Sequence, residues 1–325
     1  MPIETDFINN AKDVAKRYSF LPANAAAGYD LTATTQTDLD GAFAGFRHTV
    51  VNNDQKVARV TLQITMTNRG EACTVRPSLN ATAGIPVYFL PWDERGAAVE
   101  MTIPNLNPAL SEDNHPRFFF TAVLSGCSIL FKGTAQRPTI YHCGTGGTTG
   151  GGAPTVGDSN TYFLNLLRDV ELKGLGRTDT GLPHAPRQVL SSDYMVRAAN
   201  DGAAPTLDAN LRTAVTNHFG GRMVLEEVVL WGSVFGLRPA GSRDWKFYLQ
   251  QNATVQFKPM EAVLQDIEVK QKKKFGPFTY TKKHMETRSR FHYGNMKAIA
   301  KPIQLTQVFP GAGVAKVTNS WRSLV

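Results

Sequence analysis

The stretch VTLQITMTN, residues 60–68, alternates strictly between apolar and polar side chains. In an extended chain Val60, Leu62, Ile64 and Met66 fall on one side, and threonine and glutamine fall on the other. A period of two residues is typical of a strand with one buried face, as in an antiparallel sheet. The pattern therefore predicts a β-strand whose four apolar side chains point into a core.

Other segments extend this pattern along the chain. Apolar runs bounded by proline, glycine or asparagine predict further strands at 85–92, 117–124, 223–237, 245–257, 264–271 and 278–283. Helical periodicity predicts helices at 5–17, 159–170 and 205–221. In the first helix Thr5 is the expected N-cap, and one face carries Phe7, Ile8, Ala11, Val14 and Ala15. Strands dominate both ends of the chain, which predicts an α+β fold: a β-sandwich core of mostly antiparallel strands with flanking helices.

The length of the chain, 325 residues, fits one large domain or two ordinary ones. The run GTGGTTGGGAP, residues 144–154, resembles a linker in composition. A division there would leave the strands on each side with an incomplete sheet. We therefore expect a single domain, 1–325, with a mobile glycine-rich loop at 144–154.

The cysteines and the N-terminus indicate the kind of cellular compartment in which the protein acts. Cys73, Cys127 and Cys143 have neither the number nor the spacing of a disulfide framework or a four-ligand zinc site, which fits a protein in which thiols stay reduced. The first residues lack the apolar core and cleavage site of a Sec signal, and no apolar run is long enough to span a membrane. We expect a soluble chain whose export, if any, uses another route.

The net charge of +8 and the pI near 9.4 are basic. Much of the excess lies in KQKKKFGPFTYTKK, residues 270–283, which predicts a solvated hairpin with lysine-rich edges. The alternative is a non-enzymatic binding module that holds nucleic acid or an acidic surface through Lys270 to Lys283.

A candidate nucleophile lies in LSGCSILFKGTAQRPTIYHCGT, residues 124–145. Cys127 follows the small residues Ser125 and Gly126, and His142 follows fifteen residues later. A cysteine attacks carbonyl carbon as its thiolate, so it needs a base, a group that orients the base, and N–H donors for the oxyanion. The Ser125–Gly126 turn leaves room for a carboxamide to approach such donors.

The same segment predicts a hairpin that turns between Lys132 and Arg137 and brings Cys127 opposite His142. Thr121 precedes Cys127 by an even number of residues, so on a continuous strand it shares a face with the cysteine and can accept a hydrogen bond from the imidazole. Spacing alone leaves two interpretations open: a catalytic dyad, or a buried structural cysteine beside a satisfied histidine.

The motif LSGC, followed at the same interval by HCGT, resembles the catalytic segment of the cytotoxic necrotizing factor deamidases. The order of Thr121, Cys127 and His142 is also similar to the Thr–Cys–His pattern of the Burkholderia lethal factor and the chemotaxis receptor deamidases. The resemblance covers residues 118–147. It implies that Cys127 is the nucleophile, that His142 is its base, and that the Thr121 side chain or a backbone carbonyl orients the histidine.

The resemblance further implies a bacterial toxin or effector, secreted or injected, that acts in the host cytosol. It would convert a glutamine of a host protein, such as a Rho-family GTPase or a translation factor, to glutamate. The enzyme's own fold would be a β-sandwich with flanking helices. This chemistry requires no metal or organic cofactor, and nucleic acid is not the expected partner. An amine in place of water would give transglutamination.

Two features depart from the family pattern. Cys143 stands beside the proposed base and is a candidate second reactive thiol, and the glycine run after Thr145 is longer than the family's loop, which bears on which protein docks. A cysteine protease or another acyl transferase could use the same dyad. The segment PWDERG around Trp92 predicts a hairpin turn, with a contact to a partner as the alternative.

Overall fold

The computed structural model describes residues 2–30, 32, 34–38, 47–93, 98–107, 109–144, 187–189, 223–310 and 317–318. The helices predicted at 159–170 and 205–221, and the glycine-rich loop beyond Gly144, lie outside these residues. Within the described ranges, no helix is both long enough and apolar enough to cross a bilayer.

The N-terminal helix, α1 (Ile3–Arg17), begins two residues earlier than the sequence predicts. Pro2 is the N-cap residue and no side chain caps the helix, so Thr5 lies inside the first turn and its predicted capping role is wrong. The predicted core face is confirmed for four side chains, which are buried: Phe7, Ala11, Val14 and Ala15. Ile8 is 41% exposed, so its assignment to that face is wrong.

Sixteen strands, numbered along the chain, form two sheets in the described residues. The larger sheet has ten strands: β1 (Phe20–Pro22), β4 (Val57–Thr67), β5 (Gly70–Ser78), β6 (Ile85–Leu90), β8 (Phe118–Thr121), β12 (Met223–Leu237), β13 (Lys246–Phe275), β14 (Phe278–Tyr293), β15 (Lys297–Phe309) and β16 (Val317–Thr318). The smaller sheet has six: β2 (Thr35–Asp38), β3 (Arg47–Val50), β7 (Ala98–Thr102), β9 (Ser128–Gly133), β10 (Pro138–Cys143) and β11 (Arg187–Val189).

Most neighbouring strands run antiparallel, as predicted. The order in the larger sheet is β1-β5-β4-β6-β8-β12-β13-β15-β16, with β14 paired to β13, and in the smaller sheet it is β11-β9-β10-β7-β3-β2. The parallel pairs are β1 with β5, β3 with β7, and β6 with β8. The β-rich α+β fold is therefore confirmed.

Alternation along β8 shows how the layers stack. Phe118 and Phe120 pack into a cluster with Phe7 of α1, and the Phe7 and Phe118 ring centres are 4.9 Å apart. Phe119 points to the opposite face, into a second cluster with Phe131 of β9. The part of the ten-stranded sheet around β8 is thus covered by α1 on one face and by the six-stranded sheet on the other. Each buried phenylalanine stabilises this arrangement by about 2 kcal/mol.

The strand that opens the sequence argument forms as predicted, because β4 pairs antiparallel with β5 and with β6. Only half of its apolar face is covered. Val60 and Leu62 belong to the cluster beneath α1, whereas Ile64 is 37% exposed and Met66 is 73% exposed. The expectation that all four point into a core is wrong, since the cluster formed with the helix does not extend past Leu62.

The strand β13 is longer than expected. Its 30 residues join two segments, 245–257 and 264–271, that the sequence predicts as separate strands. The lysine-rich hairpin is present: Phe275 pairs with Phe278 across a turn at Gly276, whose φ of 60° suits glycine.

Candidate active site

The chain changes sheets at the turn that carries the candidate nucleophile. Leu124 still exchanges two main-chain hydrogen bonds with Gly232 of β12, and Ser128 is the first residue of β9 in the other sheet. Gly126, between them, has a φ of 134°, and no atom lies within 4 Å of the position that a Cβ would occupy there. Cys127 is partly exposed beside this open turn. The residue that carries the thiol therefore lies at the border between the core and the surface.

The predicted hairpin is formed by β9 and β10, but Ile129 and not Cys127 lies opposite His142, so that part of the prediction is wrong. Cys143 pairs with Ser128, and His142 pairs with Ile129. The strands turn at residues 134–137, inside the predicted interval. Extending the register by one pair sets Cys127 opposite Gly144 and diagonally next to His142, a separation of about 7–8 Å between Cα atoms.

Both side chains belong to the layer between the sheets. Cys127 packs against the cluster that contains Ile129, and His142 is fully buried. Nε2 of His142 has no hydrogen-bond partner in the described part of the chain, so the imidazole and the thiol are not hydrogen-bonded to each other. Hydrogen bonds of catalytic groups commonly tighten only when substrate binds.

Thr121 meets the histidine from the opposite sheet. Its Oγ1 is 3.3 Å from Nδ1 of His142 and donates its own proton to the carbonyl oxygen of Ala122, at 2.7 Å. Because the hydroxyl proton is already used, Nδ1 must carry the hydrogen that Thr121 accepts. This network assigns the tautomer in which Nε2 carries a lone pair and can act as a base.

The route by which Thr121 reaches the site differs from the prediction. We expected Thr121 and Cys127 on one continuous strand, sharing a face by even spacing. Instead β8 ends at Thr121 in the ten-stranded sheet, and Cys127 lies at the start of the six-stranded sheet. The parity argument is therefore wrong, and the contact between Thr121 and His142 depends on the packing of two layers.

Burial keeps the cysteine and the histidine uncharged. Loss of solvent raises the pKa of the Cys127 thiol to about 12, and a hydrogen bond to the main chain of Ser125 opposes this shift only in part. Loss of solvent also lowers the pKa of His142 to about 3. Near neutral pH the free protein therefore holds a thiol and a neutral imidazole, and not a preformed thiolate–imidazolium pair.

These directions predict how alkylation depends on pH. We expect the rate of Cys127 modification by iodoacetamide to rise about tenfold per pH unit from pH 6 to pH 10, because the thiolate fraction grows throughout that range. Peptide mapping by mass spectrometry at each pH gives the rate for this cysteine alone. A plateau between pH 6 and pH 8 would instead reveal an ion pair and contradict the burial argument.

Trp92 supplies a hydrogen-bond donor that the sequence-based site lacks. A Cβ added to Gly144 would lie 2.6 Å from Nε1 of Trp92 and 3.3 Å from Sγ of Cys127, so all three groups crowd one point. The indole Nε1 is buried and has no hydrogen-bond partner within the described residues. A buried N–H without a partner that lies beside a nucleophile can bind the oxyanion that forms during attack.

The position of Trp92 follows from the parallel pairing of β6 and β8. Leu90 pairs with Thr121, and Ala122 donates a hydrogen bond to the carbonyl of Leu90, at 2.9 Å. The carboxyl ends of both strands therefore lie at one edge of the sheet, and the segments that follow them meet there. An antiparallel assignment hides this relation, although the tryptophan at the end of the predicted strand 85–92 was a usable signal.

Replacing Gly144 with alanine is expected to lower turnover of a carboxamide substrate by about a hundredfold, through kcat more than KM. The new methyl group must displace Trp92 Nε1, and loss of one oxyanion donor typically has this effect. Gly241→Ala is the control for lost stability: its Cβ meets nothing within 4 Å, but its φ of 74° strains any side chain, so it should lower the free energy of unfolding and leave turnover per folded molecule unchanged. Trp92→Phe, which removes the N–H alone, should reproduce the loss; full activity in Trp92→Phe would eliminate the indole as a donor.

The other two cysteines are poor nucleophiles. Cys143 is fully buried on the face of β10 opposite His142, and both burial and the charge that Cys127 can carry raise its pKa. Burial raises the pKa of Cys73 to about 12. None of the three cysteines forms a disulfide bond in the described residues. The suggestion that Cys143 is a second reactive thiol therefore finds no support in its environment.

Sequence comparisons do not place the chain in a known family. Among the described side chains, no group of three or more His, Cys, Asp or Glu residues is arranged to hold a metal ion. No protein-family model matches the sequence, and no curated protein matches it either.

Proposed function

We propose that the protein is a glutamine deamidase of other proteins, with Cys127 as nucleophile and His142 as general base. The observation that carries the proposal is the hydrogen bond from His142 Nδ1 to Thr121, which leaves the basic lone pair on Nε2, an atom with no other partner among the described residues. The LSGC…HCGT motif supports the same assignment through its resemblance to deamidase toxins. By that resemblance, the substrate is a host protein such as a Rho-family GTPase or a translation factor.

The reaction begins with a neutral pair. As Sγ of Cys127 bonds to the carboxamide carbon, the thiol proton moves to Nε2 of His142, so negative charge develops on the carbonyl oxygen. Trp92 Nε1–H, together with main-chain N–H groups of the 125–127 turn, stabilises that oxyanion. Thr121 keeps the imidazole oriented and accepts from Nδ1–H while the ring is charged.

The intermediate collapses when His142 returns its proton to the amide nitrogen, which leaves as ammonia. A thioester remains on Cys127. The same imidazole then takes a proton from water, which attacks the thioester carbon and yields glutamate and the free thiol. The balance is one carboxamide and one water in, one carboxylic acid and one ammonia out. A primary amine in place of water would give a transglutamination product.

A single side chain suits this site better than a stretch of main chain. The thiol lies between two sheets, and the turn that precedes it carries the exposed residue Ser125. A long, flexible glutamine side chain can enter from there without unfolding its own backbone. A protease would have to admit a peptide bond together with both flanking residues.

The proposal is tested by treating a lysate of target cells in ¹⁸O-water and mapping Gln-to-Glu conversions by mass spectrometry. Enzymatic deamidation is expected to place one ¹⁸O in the new carboxylate at a few defined glutamines, because water resolves the thioester. Heat-denatured protein is the control for spontaneous deamidation. New peptide termini in place of conversions would assign proteolysis, and an unchanged proteome would refute the proposal.

A further inference from the structure

A two-stranded arm extends from the ten-stranded sheet. Pairing of β12 with β13 ends at Pro259, and from there β13 pairs with β14, from Met260 with Tyr293 out to Phe275 with Phe278. The arm is about 50 Å long at the usual rise per residue. Every residue from 270 to 283 is exposed. This distal part, residues 270–283, is called the arm tip below.

The apex of the arm tip is apolar. Phe275 is 79% exposed and Phe278 is 73% exposed, and the two are directly opposite each other across the Gly276–Pro277 turn. Tyr280, 51% exposed, lies on the same face, two pairs nearer the sheet. Aromatic side chains held in water at the end of an arm are typical of a surface that is covered by a partner.

Lysines surround this apex on both faces of the ribbon. Since opposed residues share a face, Lys273 and Lys282 lie on the face of the phenylalanines, whereas Lys270, Lys272, Lys274 and Lys283 lie on the other. Lys283 forms an ion pair with Glu268 at 3.2 Å. No acidic residue occurs between Glu268 and Glu286, so the arm tip carries six positive charges and no negative one.

We propose that the arm tip docks end-on onto an anionic lipid bilayer. Phe275 and Phe278 would enter the interfacial zone, while the lysines keep their ammonium groups among the headgroup phosphates. Each lysine near an anionic leaflet contributes to attraction, and each apolar side chain that leaves water adds to it. Tyr280 then lies near headgroup level, where aromatic rings with a polar end are favoured.

The distribution of charge favours a lipid surface over a groove in a macromolecule. A protein cleft would contact mainly one face of the ribbon, and the cations of the ribbon would be concentrated there. End-on insertion surrounds the arm with headgroups and uses lysines on both faces. The six cations are all lysines, and the arm tip lacks the arginine forks that bind phosphate in a fixed geometry.

The inference is independent of the proposed chemistry. Gly232 forms an isolated β-bridge with Leu124, which lies beside the candidate active site, and it also pairs with Gln251 of β13. Phe275 lies about 80 Å further along the same strand at the usual rise. Changes at the arm tip should therefore alter membrane binding without altering deamidation in solution.

Vesicle flotation of the full chain tests the proposal. Wild-type protein should float with vesicles of phosphatidylcholine and phosphatidylserine, but not with phosphatidylcholine alone. Lys272→Gln/Lys273→Gln/Lys274→Gln should weaken that binding about a hundredfold, and Phe275→Ser/Phe278→Ser about tenfold or more. The matched controls, Lys12→Gln/Lys246→Gln/Lys297→Gln for charge and Met66→Ser for an exposed apolar residue, should bind as wild type does.

A second measurement locates the contact. Phe275→Trp should show fluorescence quenched by brominated lipid in the anionic vesicles, and Met66→Trp should not. Failure of the wild-type chain to bind these vesicles overturns the proposal. Vesicle binding as strong as wild type in both arm variants overturns it as well. If the wild-type chain binds an oligonucleotide and not the vesicles, and the arm variants lose that binding, the arm tip is assigned to nucleic acid.

Discussion

Cys127→Ala protein is expected to release no ammonia from protein glutamines above the rate in buffer, while it unfolds near the wild-type temperature. Removing the sulfur removes the only atom that forms the thioester. The fold should tolerate the change, because Cys127 is partly exposed at the edge of its cluster and such substitutions alter the free energy of unfolding by about 1 kcal/mol or less. Ammonia release and a thermal melt measure the two effects.

Cys143→Ala is the matched control, since it removes a thiol from the adjacent strand. Cys143 is fully buried, so its loss should reduce the free energy of unfolding by more than the loss of Cys127 does. Deamidation per folded molecule should remain. The opposite pattern, with activity lost in Cys143→Ala and kept in Cys127→Ala, would transfer the nucleophile to Cys143.

His142→Gln is expected to lower the rate of deamidation by about 10⁴-fold. With the thiol pKa raised to about 12, almost no thiolate exists near neutral pH unless a base takes the proton during attack. The residual rate should rise with pH, because thiolate formed by hydroxide replaces the missing base. Initial rates from pH 6 to pH 10 provide both the size of the loss and this slope.

A second buried histidine provides the control. His115 is nearly as buried as His142, and its Nδ1 is 2.8 Å from Oη of Tyr88. His115→Gln should change stability and leave turnover per folded molecule intact. If both variants lose activity equally, the effect of His142→Gln is structural, and its assignment as the base fails.

Local patterns predicted the elements that carry the site, but only in part how they meet. The apolar runs on both sides of the 134–137 turn were sufficient to predict the hairpin that brings Cys127 and His142 to neighbouring strands, because pairing of adjacent segments is decided by nearby residues. The strand at 60–68 was predicted for the same reason. Exposure of Met66 was not, since it depends on how far α1 covers the sheet.

The contacts that cross between layers were beyond such patterns. Thr121 reaches His142 because two sheets pack face to face, and Trp92 reaches Gly144 because β6 and β8 run parallel. Neither of these two contacts produces a periodic pattern in the sequence. The uninterrupted course of β13 was missed too, because Pro259 resembles a break, and here it coincides with the point where β12 ends and the arm begins.

The hydrogen bond between Thr121 and His142 has a consequence for how the protein becomes competent. The residue that orients the imidazole belongs to one layer, while the imidazole and the thiol belong to the other. A chain in which only one layer has assembled holds a sulfur without an aligned proton acceptor. Catalytic activity would therefore appear only at the final step of folding, when the two sheets pack against each other.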